Sequence, residues 1–265
     1  MQEPKMLEAR QVADDTYTLG AWMPVPGFGV LAVNSFLIKS AEPALIDTGL
    51  RSLTDEFMRE LQNAIDPSDL RWIWITHSDA DHLGSLARIL ELAPHARVVT
   101  TYLGMAKLAL NGLPVDRAYL LNPGQSLDVG DRKLAAYAPP VFDAPETTAV
   151  FDSRSRILFS ADSFGALLPE VAEAGDSISA DVLRQGMHAW AAVDAPWLKL
   201  VDPQLFAGGI RKFRDLQPEQ ILSSHLPAAS RGILSDLFEN LASAPEAPAF
   251  VGPDQAALEQ MMAAA

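Results

Sequence analysis

The sequence predicts an α/β protein built from two sheets packed together, with helices on the outside. Two observations carry that expectation. Each half of the chain runs strand-like apolar stretches and then stretches of helical spacing, a pattern that suits stacked sheets covered by helices. The composition, 49% apolar and 20% charged over 265 residues, is globular and supports one well-buried domain or at most two small ones. The domain is expected over residues 1–243, with 244–265 an Ala- and Pro-rich tail carrying a short helix from Asp254.

The elements follow in order. Val12 to Gly20 and Gly29 to Ile38 read as strands, joined by a loop at Ala21 to Phe28 where prolines and glycine interrupt the pattern. Trp22 and Phe28 in that loop either cover a pocket or pack on the sheet. Pro43 to Asp47 is a short strand ending in Asp47-Thr48-Gly49, and Leu53, Phe57, Leu61 and Ile65 mark one face of an amphipathic helix. Leu70 to Thr76 is a strand of aromatic and β-branched residues bounded by polar ones. Leu83, Leu86, Ile89, Leu90 and Leu92 then recur at helical spacing, predicting a helix over Leu83 to Leu92. Arg97 to Thr101 is a strand, followed by a helix through Met105 to Leu110. Leu127 to Gly130 is a turn into a strand at Lys133 to Ala138, and Ala149 to Ser153 with Arg156 to Ser160 forms a hairpin. Residues 166–215 are mostly helical, and Gln220 to Ser224 is a last short strand.

The chemistry concentrates between strand 70–76 and the helix after it. His77, Asp79, Asp81 and His82 place four metal-ligand types within six residues, in the order H-x-D-x-D-H. On a strand-to-helix loop such side chains converge, and Asp81 stands where an acid favours a helix N-terminus. A loop with Asp and Ser before a helix is often only a cap. Two carboxylates this close repel, however, and a divalent metal pair is the simplest relief. A dinuclear site needs more donors, and other strand ends offer them. Asp143 lies just after one strand, Asp162 follows Ile157-Leu158-Phe159-Ser160, and His225 follows Ile221-Leu222. His95 reads as a surface connector and His188 as a helical residue facing pocket or solvent, while Trp72 and Trp74 alternate with Ile73 and Ile75 as sheet packing. The chain offers no Gly-rich phosphate loop, Ser–His–Asp arrangement or basic aromatic patch.

The order Ile46-Asp47-Thr48-Gly49, His-x-Asp-x-Asp-His, Asp143, Ser160-Ala161-Asp162 and Ser224-His225 resembles the metallo-β-lactamase superfamily across about residues 10–230. The resemblance implies an αββα sandwich of two mixed sheets with a two-metal site at one edge. Hydrolases of that superfamily carry His where this chain has Asp79. An acid there is similar to the flavodiiron and oxygen-binding di-iron branch, as are Ala144-Pro145-Glu146-Thr147 and Leu158 to Gly165. The resemblance assigns His77, Asp79 and Asp143 to one metal, Asp81 and His225 to the other, and Asp162 to the bridge. It makes Asp81 and His82 the catalytic residues, with His82 a ligand in the hydrolases but often standing back in the di-iron branch. Asp47 would steady a ligand or the loop backbone through a hydrogen bond. Asp143 departs from the pattern, since both branches normally carry the longer His. Residues after 240 offer no flavodoxin module.

Three imidazoles and four carboxylates balance two divalent ions. Oxygen-rich donors favour iron or manganese, with zinc acceptable. The expected function is a stand-alone di-iron protein that binds or reduces dioxygen. The alternatives are a metal-dependent hydrolase of an ester, lactone, thioester or phosphoester, and a degenerate scaffold holding one metal or none. A net charge of −14 argues against nucleic-acid and anionic-membrane partners, leaving dioxygen or a small-molecule substrate, with a homodimer also among the expectations. The absence of cysteine excludes disulfides, thiolate metal sites and cysteine nucleophiles. The N-terminus lacks the apolar core of a signal peptide and no window approaches a membrane span, so a cytoplasmic location is expected.

Overall fold

A computed structural model describes residues 3–263. The first sheet begins with Lys5–Met6 (β1), Arg10–Ala13 (β2), Thr16–Val25 (β3), Gly29–Ile38 (β4) and Ala44–Ile46 (β5). It continues through Trp72–Trp74 (β6), Arg97–Thr100 (β7) and Ala118–Leu120 (β8). The second sheet holds Ser126–Asp128 (β9), Lys133–Tyr137 (β10), Ala149–Asp152 (β11) and Ile157–Phe159 (β12). Leu167–Leu168 (β13) crosses back to pair with β4, and Gln220–Leu222 (β14) and Ala229–Ser230 (β15) complete the second sheet. Both sheets are mixed. The first is antiparallel from β3 to β5 and parallel from β5 to β8; in the second, β12 and β14 run parallel while the other neighbours run antiparallel.

Period-two alternation sorts the strand side chains into layers. In β5 and β6, Ile46 and Trp74 enter the core between the sheets, meeting Leu134, Val150, Phe159 and Leu222 from the facing sheet. Their neighbours Leu45 and Ile73 turn outward, against the helices Thr54–Ala64 (α1) and Leu86–Leu92 (α2). Tyr102–Leu110 (α3) follows β7 on the same sheet. On the far side, Ala180–Asp194 (α4), Pro203–Asp215 (α5) and Leu234–Ser243 (α6) bury Leu183, Met187, Phe213 and Leu237 against Leu158 and Ile221 of the second sheet. The layer order is helix, sheet, sheet, helix, which is the sandwich the sequence predicts. Gln255–Ala263 (α7) ends the described chain, and no described helix is long and apolar enough to cross a membrane.

Several elements differ from the sequence reading. The stretch Ala21 to Phe28 is not a loop: β3 runs on to Val25, and only Pro26-Gly27-Phe28 turns. Pro24 is tolerated because β1 pairs only as far as Trp22, so no ladder partner asks for the missing N–H. Leu127 and Asp128, read as the start of a turn, belong with Ser126 to a strand that pairs with β10. The helix expected from Leu83 begins at Leu86, and Asp81 is therefore not at its N-terminus. The reason lies in the backbone, since His82 O accepts from Thr48 N (2.8 Å) and Gly84 N donates to Gly49 O (2.8 Å). Those groups are committed to the loop after β5 rather than to a helical turn.

Gly84 makes that crossing feasible. A Cβ there would lie 2.2 Å from Arg51 N and 2.3 Å from Gly49 O, both backbone atoms that cannot swing aside. Gly84→Ala is expected to destabilise the fold by about 1–3 kcal/mol. The check is the thermal midpoint of the metal-free protein, and an unchanged midpoint would refute the packing argument.

At the end of the sandwich remote from Asp47, Arg132 joins the sheets. Its guanidinium meets Asp131 (2.8 Å) and Asp152 (3.1 Å) in the second sheet and Asp15 in the turn between β2 and β3. Arg132 and Asp152 are buried.

Candidate metal centre

The sequence-predicted residues converge at one end of the sandwich, where strands β5, β6, β12 and β14 stop. Asp47 leaves β5, and the segment His77 to His82 follows β6. Asp143 lies between β10 and β11, Asp162 follows β12, and His225 follows β14. The ligand atoms of His77, Asp79 and Asp143 lie within 4.8 Å of one another, as do those of Asp81, His82 and His225. Asp162 stands between the two groups. Its Oδ2 is 3.3 Å from His77 Nε2, and its Oδ1 is 3.3 Å from both His82 Nε2 and His225 Nε2.

Each imidazole is fixed through Nδ1 and presents Nε2 to the centre. His225 Nδ1 donates to Ala32 O (2.7 Å), and His82 Nδ1 donates to Asp47 Oδ2 (2.9 Å). Thr76 Oγ1 gives its single proton to Asp47 Oδ2 (2.8 Å), so its contact with His77 Nδ1 (3.1 Å) leaves the ring nitrogen as donor. Nε2 of His77 and of His82 is then the ring nitrogen turned toward the centre. Asp47 also accepts from Thr76 N (2.8 Å) and holds a left-handed backbone, φ 58°. That is an uncommon conformation for a side chain other than glycine, and here three hydrogen bonds to Asp47 hold it in place.

Nε2 of His77, Nε2 of His82 and Oδ1 of Asp162 are buried without a hydrogen-bond partner. Buried polar atoms are rarely left so, and three of them facing one spot match what cations would satisfy. The electrostatics agree. Burial pushes His225 down, but Asp162 and Asp81 outweigh it and hold it at about 9. His82 is likewise disfavoured by burial and lifted well above its usual value by Asp81, Asp47 and Asp162. Asp162 is raised by burial yet held well below the carboxylate range by the three imidazoles. Burial raises Asp143 to about 6, helped by Asp79 and Asp162 against the pull of His77. The donor set, rich in carboxylate and imidazole and free of thiolate, fits two hard or borderline divalent ions.

A carboxylate that spacing arguments missed also reaches the centre. Asp194, the last residue of α4, brings a ligand atom within 4.8 Å of those of Asp143 and Asp162. Burial raises it to about 8, with Asp162 and Asp143 adding to the rise. Trp190, one turn earlier, donates to Asp162 O (3.2 Å) and lies 4.5 Å from the His225 ring, centroid to centroid. A lone acid on a helix leaves no spacing signal; only its i,i+4 relation to Trp190 marks a shared face. His188 points elsewhere, to Asn240 O (3.2 Å) and Ser243 Oγ (2.9 Å), and His95 is exposed.

Over Asp81 opens a cavity of ≈ 560 Å³, walled mainly by apolar side chains, among them Met23, Leu31, Leu50 and Trp190. Phe28 and Phe250 meet across its rim at 5.4 Å, so the segment after α6 supplies part of the wall. Trp22 packs into the core instead.

Fold and site together define a protein of the metallo-β-lactamase fold, with donors grouped in two clusters about a shared carboxylate. A family model described as "ODP family beta lactamase" matches residues 31–225, and the chain belongs to that family. Among curated relatives, an uncharacterized protein of Methanocaldococcus jannaschii is 26% identical over 193 residues, covering 72% of this chain and 48% of that protein. A nitric oxide reductase of Moorella thermoacetica is 25% identical over 174 residues, covering 65% of this chain and 44% of that protein. The rubredoxin oxygen:oxidoreductase of Desulfovibrio gigas superposes with a TM-score of 0.77 at 19% identity, covering 90% of this chain and 62% of that one; at that identity the likeness speaks to the fold. The chain spans less than half the length of the curated relatives it matches first, 48%, 24% and 23% of them.

Proposed function

We propose that the chain holds two metal ions, iron favoured, and binds or reduces a small diatomic molecule, dioxygen or nitric oxide. The observation that carries this reading is the convergence of His77, Asp79 and Asp143 on one side of Asp162 and of Asp81 and His225 on the other. Bound iron would supply one-electron redox chemistry toward such a molecule. The chain's own residues do the rest. Asp47 orients His82, Ala32 O orients His225, and Trp190 holds the Asp162 backbone while covering His225. The cavity above Asp81, walled mainly by apolar side chains, suits a small apolar molecule. Electrons would come from a donor outside this segment; the names of two relatives, a flavorubredoxin and a diflavin flavoprotein, support a flavin-bearing one. We take residues 1–243 as the metal-binding domain and 244–265 as an extension; burial of Ala244 and Ala247 supports its docking on that domain. A cytoplasmic location and a homodimer belong to the same proposal.

The test is iron content after purification without added metal, and a visible absorbance change when dioxygen meets the reduced protein. A colourless, iron-free, zinc-loaded protein with esterase or lactonase activity would overturn the reading in favour of a hydrolase. That second reading is favoured by one observation: His82 Nε2 faces Asp162 (3.3 Å) and Asp81 (3.6 Å), as a ligand would.

A further inference from the structure

The His77 side of the centre carries a donor that no motif assigns. Asp194 arrives from α4, on the opposite sheet layer from the His77 loop, and its Oδ2 is buried with no hydrogen-bond partner. It does not stand alone. His77, fully buried, also has its Nε2 unpartnered, and that atom faces Asp162 at 3.3 Å and Asp143 at 3.8 Å, the two acids that Asp194 joins.

The fold brings Asp194 there at some cost. Gly186 lets α4 lie against β13, since a Cβ on Gly186 would come 2.4 Å from Leu167 O. Leu183, Met187 and Ala191 anchor the helix in the core, and this leaves Trp190 and Asp194 on the face toward the centre. Asp194 is the last residue of α4, where the negative end of the helix dipole disfavours a carboxylate. Helix stability therefore does not explain an acid at this position, and a neighbouring cation does.

We propose that Asp194 is a ligand of the metal on the His77 side. This rests on the dinuclear reading above. That half then offers one imidazole, His77, with the carboxylates of Asp79, Asp143 and Asp194, and shares Asp162 with the other half. The other half has two imidazoles, His82 and His225, beside Asp81. The pair is unequal, and the oxygen-rich half prefers the harder ion.

The experiment titrates the metal-free, full-length chain with Mn²⁺, read by electron paramagnetic resonance. Wild type is expected to take up two equivalents and to give a spin-coupled spectrum. Asp194→Asn, which keeps the shape and removes the charge, should hold one equivalent as wild type does and the other about 10–100-fold more weakly. At two equivalents it should show mononuclear and free-ion signals. Its metal-free form should melt at or above the wild-type temperature, because burial among acids raises the Asp194 carboxyl to about 8 and that cost to the fold is gone. If wild type binds two ions and Asp194→Asn binds both with unchanged affinity, the ligand assignment is wrong while the dinuclear reading stands. The assignment is equally wrong if Asp194→Asn melts lower and weakens both equivalents alike, which marks a structural role. If wild type itself takes up fewer than two, the dinuclear reading fails and this inference with it.

Discussion

Asp162→Ala is expected to abolish uptake of both metal ions, weakening each by at least about 100-fold. No other candidate ligand touches so much of the centre. Its two oxygens reach three imidazoles at 3.3 Å, one in the first cluster and two in the second. Loss of a donor confined to one side, such as His225, leaves the other cluster intact, whereas loss of Asp162 removes the anion both halves share. Metal content by elemental analysis, alongside circular dichroism to verify folding, is the check. Retention of one full equivalent would show that Asp162 serves a single metal and that the two clusters are not bridged through it.

Arg132→Ala is expected to cost about 3–5 kcal/mol of stability, because it strands a buried carboxylate rather than merely deleting a contact. Asp152 is fully buried and takes its only cationic partner from Arg132 among the described residues, while Asp131 keeps Arg154. Asp131 is held down to about 2, chiefly by its hydrogen bond to Arg132, against the opposing effect of burial. The same guanidinium reaches Asp15 on the other sheet, so the sandwich loses a tie between its layers as well. A fall in the thermal midpoint of roughly 6–15 °C would follow. The candidate metal centre lies at the opposite end, and metal uptake below the new midpoint should be unchanged. A shift of a degree or two would show that water reaches Asp152 and relieves it.

The centre was legible in the sequence to the extent that its donors sit at strand ends or crowd one loop. His77 to His82 packs four of them into six residues, and Asp162 and His225 each close a short apolar run that reads as a strand. The two-layer architecture was legible because each half of the chain runs strand-like and then helical stretches; the structure adds that Leu45 and Ile73 face one core and Ile46 and Trp74 the other. Where the reading failed, a tertiary contact had overridden a local signal. Prolines argued against strand at Ala21 to Val25, but a ten-residue ladder with β4 carries β3 through them. Helical spacing from Leu83 promised a helix start beside Asp81, but Gly84 and His82 spend their backbone on the β5 loop. Asp194 was invisible because its meaning comes from α4 packing over the second sheet, and no run of residues near it encodes that approach.

Asp79, Asp81, His77 and His82 descend from the first sheet, while Asp143, Asp162 and His225 descend from the second. Ions seated among them would cross-link the two layers of a chain that has no cysteine with which to do so covalently. The ligands joined are far apart in sequence, from His77 to His225, so the link would close more than half of the chain into one loop and draw down the entropy of its unfolded state. In that sense the centre is also a removable staple. Chelation would loosen the seam between the sheets, at the end that Arg132 does not hold.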